Sequence, residues 1–526
     1  MNLKNKSKHI KIFAGIALCA LLLIVGLCIK LLLTPPKPYF EGEAHLYYLS
    51  LLEKGFPEDY AKELTELHLL HPDWQFEPLL ISQTNNSYTW DYVIDQETKE
   101  PETNLVPDGK TYRKYQKASN IKLYDSGYRQ ASVKAVEYFM DPRNFLNETD
   151  IFQFYDLSCH TESSIEQVKA VLEGTFMESE KLENDLSYAE YLMQIGKELD
   201  LNPVYLATKI RQEQGSDGAS PIISGKCGDR LADYYKNQTK ENASGKQVLP
   251  PSSGYTEEEL LALNGYYNLF NVKASGNGLF QIYYNAMNRA AEGSPEMASV
   301  WGGDPAWNTR WKSIWGGAFL IKTNYVDRYQ STLYLQKYNV DGRAADRNFW
   351  GQYMQSISGA MTESRTLYSA FASGGALDSP CTFLIPIYEN MPKKVCADPA
   401  DGRCTILAQA TERYDYRVKL TSPSRLYAKN HPIYQTEETT RGGAVRVSGS
   451  VSHSYGVKEL QYRIDNGEWI TLDTTESFDI TVSDQYIPNA VHILTVRGVA
   501  NYDHDVSGQK QNQYFLCAVY YIHITD

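Results

Sequence analysis

Apolar positions along this chain fall into three regimes. Residues 12–29 form an uncharged apolar run, and residues 31–33 extend it past Lys30, a side chain long enough to snorkel. Such a run spans a hydrocarbon core of about 30 Å. From there to about residue 371 the apolar period is three to four. A helix is expected over 56–71, opened by Pro57 and ended by Pro72, with Tyr60, Leu64, Leu67 and His71 on one face and His68 beside it. Residues 74–80 read as a strand, confined to a sheet edge by Pro78. Ser164 and Gln167 form a capping box before Val168, Val171 and Leu172. A helix over 187–199 turns Tyr188, Tyr191, Leu192, Ile195 and Leu199 inward. Asn202 then caps a helix whose first residue is Pro203, whose buried stripe is Val204, Ala207 and Ile210, and which Gly215 stops. Asp304 and Pro305 are expected to open a helix with Trp307, Trp311 and Trp315 at spacing four, a core stripe more than a ligand platform. From Ala444 the period becomes two. Strand-like segments flank Asn466-Gly467, a strong hairpin signal, and about six strands suit a small antiparallel sandwich, immunoglobulin-like in outline.

Length and composition narrow this to several globular units. The chain has 526 residues, 42% of them hydrophobic and 22% charged. The expected division is 1–36 for a cytoplasmic tail and transmembrane signal anchor, 37–180 for an N-terminal module and 181–375 for a mainly helical domain. A Pro-punctuated linker follows over 376–440, and the sandwich occupies 441–526. Lys4, Lys6, Lys8 and Lys11 precede the apolar run, which puts the tail in the cytoplasm and everything after Pro35 outside. A cleaved signal peptide is the rival, but no small-x-small site closes the run. A net charge of -13 argues against nucleic-acid binding. With 40 Tyr and 8 Trp, the aromatic content suits sugar stacking and ordinary cores equally. No C-x-x-C pair occurs, so zinc and thioredoxin-type readings fail; Cys396 and Cys404 could pair across a short loop or remain thiols.

The candidate chemistry centres on Glu213. It falls on the last turn of the helix after Asn202, where the helix dipole and burial both favour a neutral carboxyl, the form that can protonate a leaving oxygen. A Gly/Ser/Asp/Lys-rich stretch between Gly215 and Asn264, with a short helix from Thr256, has the composition of a mobile lobe over a cleft.

R-Q-E-Q-G at 211–215 followed by Y-N-L-F-N-V-K-A at 267–274 resembles the glucosaminidases of glycoside hydrolase family 73. Y-F-M-D-P-R-N-F-L-N at 138–147 resembles the module preceding that domain in wall hydrolases of Gram-positive bacteria, and the resemblance covers most of 138–371. It implies an α+β, lysozyme-like, mainly helical catalytic domain that hydrolyses the β-1,4 bond after N-acetylglucosamine in peptidoglycan, without metal or organic cofactor. Glu213 would be the general acid and Tyr267 the facing group. Asn268 and Gln281 would be substrate-binding residues, Asn268 alternatively fixing the turn. The chain departs from the family in its long insertion and in Asn271, where Gly is commoner. The second acid stays open among Asp217, Asp229, Asp233, Glu241 and the substrate's own acetamido group. The expected partners are peptidoglycan strands, the membrane through residues 12–33, and a wall or membrane protein through the sandwich. A lytic transglycosylase and a non-catalytic wall-binding scaffold are the competing readings.

Overall fold

The computed structural model describes residues 38–526 except 100–102, 120–121, 125–126, 159–162, 238–253, 277, 345–346, 351, 353, 374, 401–415, 430, 484–485 and 503–510. Among the described residues no helix is long and apolar enough to cross a membrane. The anchor expected at 12–33 lies outside them, as do Glu241 and Cys404, and with Cys404 the pairing considered for Cys396. The architecture is α+β: a helix-rich part followed by a β-rich C-terminal part.

The helix-rich part is closed by two strands far apart in sequence. β1 (Trp74–Leu80) pairs in parallel with β4 (Cys381–Ile387), Pro78 opposite Ile385, while the short β2 (Leu105–Pro107) and β3 (Tyr128–Gln130) pair with each other. Because the sheet has two strands, β1 is an edge, where a proline is tolerated. The intervening chain therefore leaves from and returns to one place. Aromatic side chains fill the space around that pair: Trp74, Phe152, Tyr155, Phe371 and Phe383 meet with centroids as close as 5.0 Å for Trp74–Phe383. Much of the tyrosine content is likewise core, with Tyr60, Tyr115, Tyr188, Tyr334, Tyr338 and Tyr368 fully buried.

Two helices, α1 (Gly42–Lys54) and α2 (Glu58–Leu70), precede β1, and α1 had no counterpart in the sequence reading. α3 (Trp90–Lys99) and α4 (Val133–Met140) follow, and α5 (Ile165–Leu172) carries the expected capping box of Ser164 and Gln167. α5 packs on both α6 (Tyr188–Leu199) and α7 (Pro203–Gln214), so the segments expected as separate units before and after residue 180 share one core. Beyond α7 come α8 (Cys227–Lys236), α9 (Glu257–Leu261), α10 (Leu279–Glu292), α11 (Arg310–Asn324), α12 (Leu333–Tyr338) and α13 (Gly359–Ser373).

The helix expected from Asp304 starts later. Asp304 accepts from the Ala306 N–H at 3.0 Å and the Asn308 amide at 2.6 Å, an Asx-type turn, and Thr309 caps α11 by accepting from the Lys312 N–H. Trp307 is thus off the helix. It is fully buried, with its indole N–H on Ser294 Oγ at 2.9 Å and Arg289 over its ring.

The β-rich part begins before the expected boundary at 441. β5 (Tyr416–Ser422), β6 (Tyr427–Lys429) and β7 (Ile433–Thr440) all lie in the stretch expected as linker. With β8 (Ala444–His453), β9 (Val457–Ile464), β10 (Ile470–Thr471), β11 (Ser477–Ser483), β12 (Val491–Tyr502) and β13 (Gln511–Thr525) they form two sheets, ordered β10-β9-β12-β13-β7 and β11-β8-β5-β6. Pairing is antiparallel except β7 beside β13, a parallel contact that alternation alone could not reveal. Inward Val418, Val447 and Ile480 of one sheet meet Val496, Phe515 and Ile522 of the other.

The sandwich is docked on the helices, not tethered beside them. Ile493, Leu516, Val519 and Tyr521 belong to the helical core. Arg497 donates to Asp378 through both terminal nitrogens at 2.8 Å and to the Leu70 carbonyl at 2.9 Å. Tyr434 donates to Glu66 at 2.8 Å, and Glu41 meets His523 at 2.6 Å.

Candidate functional site

α7 is a buried helix set by its ends. The Asn202 side chain accepts from the Val204 and Tyr205 N–H groups at 3.0 and 3.2 Å, and its amide donates to the Tyr155 hydroxyl at 2.7 Å. Gly215 ends it at φ 71°. The helix is covered on nearly every side, including Leu206, Thr208 and Lys209, so its last turn is the part that reaches open space.

Glu213 sits there, its side chain 20% exposed. Oε1 lies 3.2 Å from Lys209 Nζ one turn earlier, and Oε2 accepts from Asn271 Nδ2 at 2.8 Å. The same amide nitrogen also donates to the Glu213 carbonyl at 3.1 Å. Both carboxylate oxygens therefore face donors, a setting the helix-end argument had not included. Lys209 is buried, and its Nζ lies 3.5 Å from Glu363 Oε2 on α13. Burial pushes the Glu363 carboxyl above the usual carboxylate range, with Lys209 opposing the shift and the charge of Glu213 adding to it.

The turn at 267–274 is built to hold Asn271 in this position. Asn271 has φ 53°, left-handed backbone that Gly or Asn adopts with least strain. Gln214 spans the gap between helix and turn, donating to the Leu269 carbonyl and to Asn271 Oδ1, both at 2.9 Å. Asn268 is 0% exposed. Its amide donates to the Val272 and Ala286 carbonyls and its oxygen accepts from the Val272 N–H, all at 2.9 Å. These bonds make Asn268 a clamp of the turn, one of the two roles considered for it. Behind the turn, Gly317 leaves room for Phe270: a Cβ there would lie 2.1 Å from its ring.

Tyr267 belongs to the same turn and is half-buried, its N–H on the Trp307 carbonyl at 2.9 Å. Its hydroxyl rests against Gly225, where a Cβ would come within 2.7 Å of it. Gln281 lies in the first turn of α10, half-buried against Gly276. The structure thus joins Glu213 to the tyrosine turn through Gln214 and Asn271, and seats Gln281 on a neighbouring helix.

Of the acids considered in the lobe, Asp217, Asp229 and Asp233 are exposed, and Glu241 lies outside the described residues. Asp217 accepts from the Ala219 N–H at 3.2 Å, and Asp229 is held by the Asn264 amide at 2.8 Å. Asp233 lies near Lys236. Three site residues were missed: Asn271 as a contact, Lys209 and Glu363. The first two were legible in principle, as a departure from Gly and as an i,i+4 pair. Glu363 carries no local signal. Among the described residues no group of His, Cys, Asp or Glu is placed to hold a metal ion.

No family model, no curated protein and no solved structure matches the chain.

Proposed function

We propose that the chain is an endo-β-N-acetylglucosaminidase of the family 73 type, acting on peptidoglycan glycan strands with Glu213 as general acid. In this reading the helix-rich part is lysozyme-like, the β-rich part is immunoglobulin-like, and residues 12–33 anchor the enzyme with its catalytic part outside the membrane. One observation carries the reading. Asn271 clasps Glu213 at 2.8 Å, so the two motifs that resemble the family, far apart in sequence, form one site.

The chemistry follows from the contacts. An acid that protonates the glycosidic oxygen must carry its proton on one oxygen and be held in one rotamer. Asn271 fixes Oε2 and with it the rotamer, and Lys209 beside Oε1 is placed to stabilise the carboxylate left when the proton has gone. Glu363 holds Lys209 at that position. As the proton moves to the leaving oxygen the bond to C1 breaks, and Glu213 returns to the carboxylate that Lys209 and Asn271 stabilise. Tyr267, on the same turn, faces the positive charge that develops on the sugar.

Glu213→Gln tests this directly. The variant is expected to lose cleavage of purified peptidoglycan, read as unchanged glycan chain length, while its circular dichroism and unfolding midpoint match the parent. Full activity in a folded Glu213→Gln chain would remove Glu213 from the role.

A further inference from the structure

A cavity of about 340 Å³ lies elsewhere, between α1, α2 and strands β9 and β12 of the sandwich. That is the size range of small-ligand pockets. Its deep wall is an unusual piece of electrostatics. Arg463 is 4% exposed, yet no carboxylate lies within 4.0 Å of it among the described residues, and its Nε has no hydrogen-bond partner. Among the described residues its one hydrogen bond goes from Nη2 to the Leu69 carbonyl at 3.3 Å. The neighbouring Arg497 takes Asp378 for itself. Burial, then the charge of Arg497, push the Arg463 guanidinium down to about 10, against the opposing charges of Asp378, Asp73 and Glu43. A buried cation with no carboxylate in contact is costly, and an incoming anion relieves that cost.

Two more side chains on the same wall carry an unpartnered polar atom. Thr495 is 1% exposed, and its hydroxyl makes no hydrogen bond. His68 stacks on Tyr47 at 3.6 Å with its Nδ1 unpartnered. Burial and the charge of Arg463 push that imidazole down to about 4, so it is neutral near pH 7 and does not add a second cation. The mouth has the opposite sign. Glu43 is exposed there, one carboxylate oxygen receiving the Asn466 amide at 3.1 Å. Leu69 and Ile493 make the apolar sides.

We propose that this cavity binds a small zwitterion, an amino acid or the free end of a short peptide. Its carboxylate sits on Arg463, and its ammonium lies at the mouth on Glu43. The binding is independent of the glycosidase reading, since none of these residues belongs to the Glu213 site. It would also couple α1 to the sandwich, because the ligand touches both.

Calorimetric titration of the full chain with alanyl-alanine tests it. The expected result is saturable one-to-one binding that weakens about ten- to a hundredfold when the dipeptide is C-terminally amidated, the change for losing a charged hydrogen-bond partner. Arg463→Gln is expected to show the same loss. Glu43→Gln, at the exposed mouth where folding is not at risk, is expected to weaken alanyl-alanine but leave N-acetyl-alanyl-alanine unchanged. Absence of saturable binding by the intact chain, equal affinity for the amide, equal affinity for inorganic phosphate, or indifference to Glu43→Gln would each overturn the proposal.

Discussion

Asn271 carries two duties that separate by substitution. Its φ of 53° needs Gly or Asn, and its amide fixes Glu213. Asn271→Gly keeps the turn and removes the clasp, so turnover is expected to fall at least tenfold with little change in the unfolding midpoint. Asn271→Ala removes the clasp and also the short polar side chain that lets Asn adopt left-handed backbone, and is expected to lose about 1 kcal/mol of stability besides. Denaturant melts alongside turnover numbers check both. Lys209 is tested through pH. Burial raises the folded-state affinity of Glu363 for a proton and Lys209 opposes this, so Lys209→Met raises it further. A carboxyl raised in the folded state contributes stability at low pH that is lost as pH rises through its folded value. The deficit of Lys209→Met relative to the parent is therefore expected to widen from pH 4.5 to pH 7.5 in urea unfolding, and a constant deficit would contradict the pairing.

At the scale of elements, what could be read from sequence was what is decided locally. The Asn202 cap, Pro203 and Gly215 each act within one turn, and α7 has the expected ends. The capping box at Ser164 is equally local. At Asp304–Pro305 two local signals competed, and the later one, Thr309, opens the helix because Asp304 spends its oxygens on a turn. Pairing is not local. Nothing in the alternation of residues 74–80 names Cys381–Ile387 as partner, and nothing around Glu363 points to Lys209. The site was accordingly legible at Glu213 and the turn after Tyr267, and illegible at its third side. The contact between strand β12 and the helical part has its own test. Burial alone would raise the Asp378 carboxyl, but Arg497 and His71 hold it well below the usual range. Such a group contributes stability that is present above its ordinary value near 3.8 and lost as pH falls below it. Asp378→Asn is expected to lose about 1–2 kcal/mol at pH 7, a figure reduced for a side chain 39% exposed, with a smaller loss at pH 3. Guanidinium melts at the two pH values decide it.

At the scale of the whole molecule, the sandwich and the helices share a core through Leu516, Val519 and Tyr521. Differential scanning calorimetry is expected to show them unfolding together, and two well-separated transitions would mean that the docking contributes little. That docking holds the β-rich part in a fixed place relative to Glu213.

Glu213 is proposed to drive hydrolysis after N-acetylglucosamine. Mass spectrometry of purified peptidoglycan digested by the intact chain tests that role. Reducing-end N-acetylglucosamine, absent from the Glu213→Gln digest, is the expected result. 1,6-Anhydro-muramyl ends without reducing N-acetylglucosamine, or an undigested polymer, would contradict it.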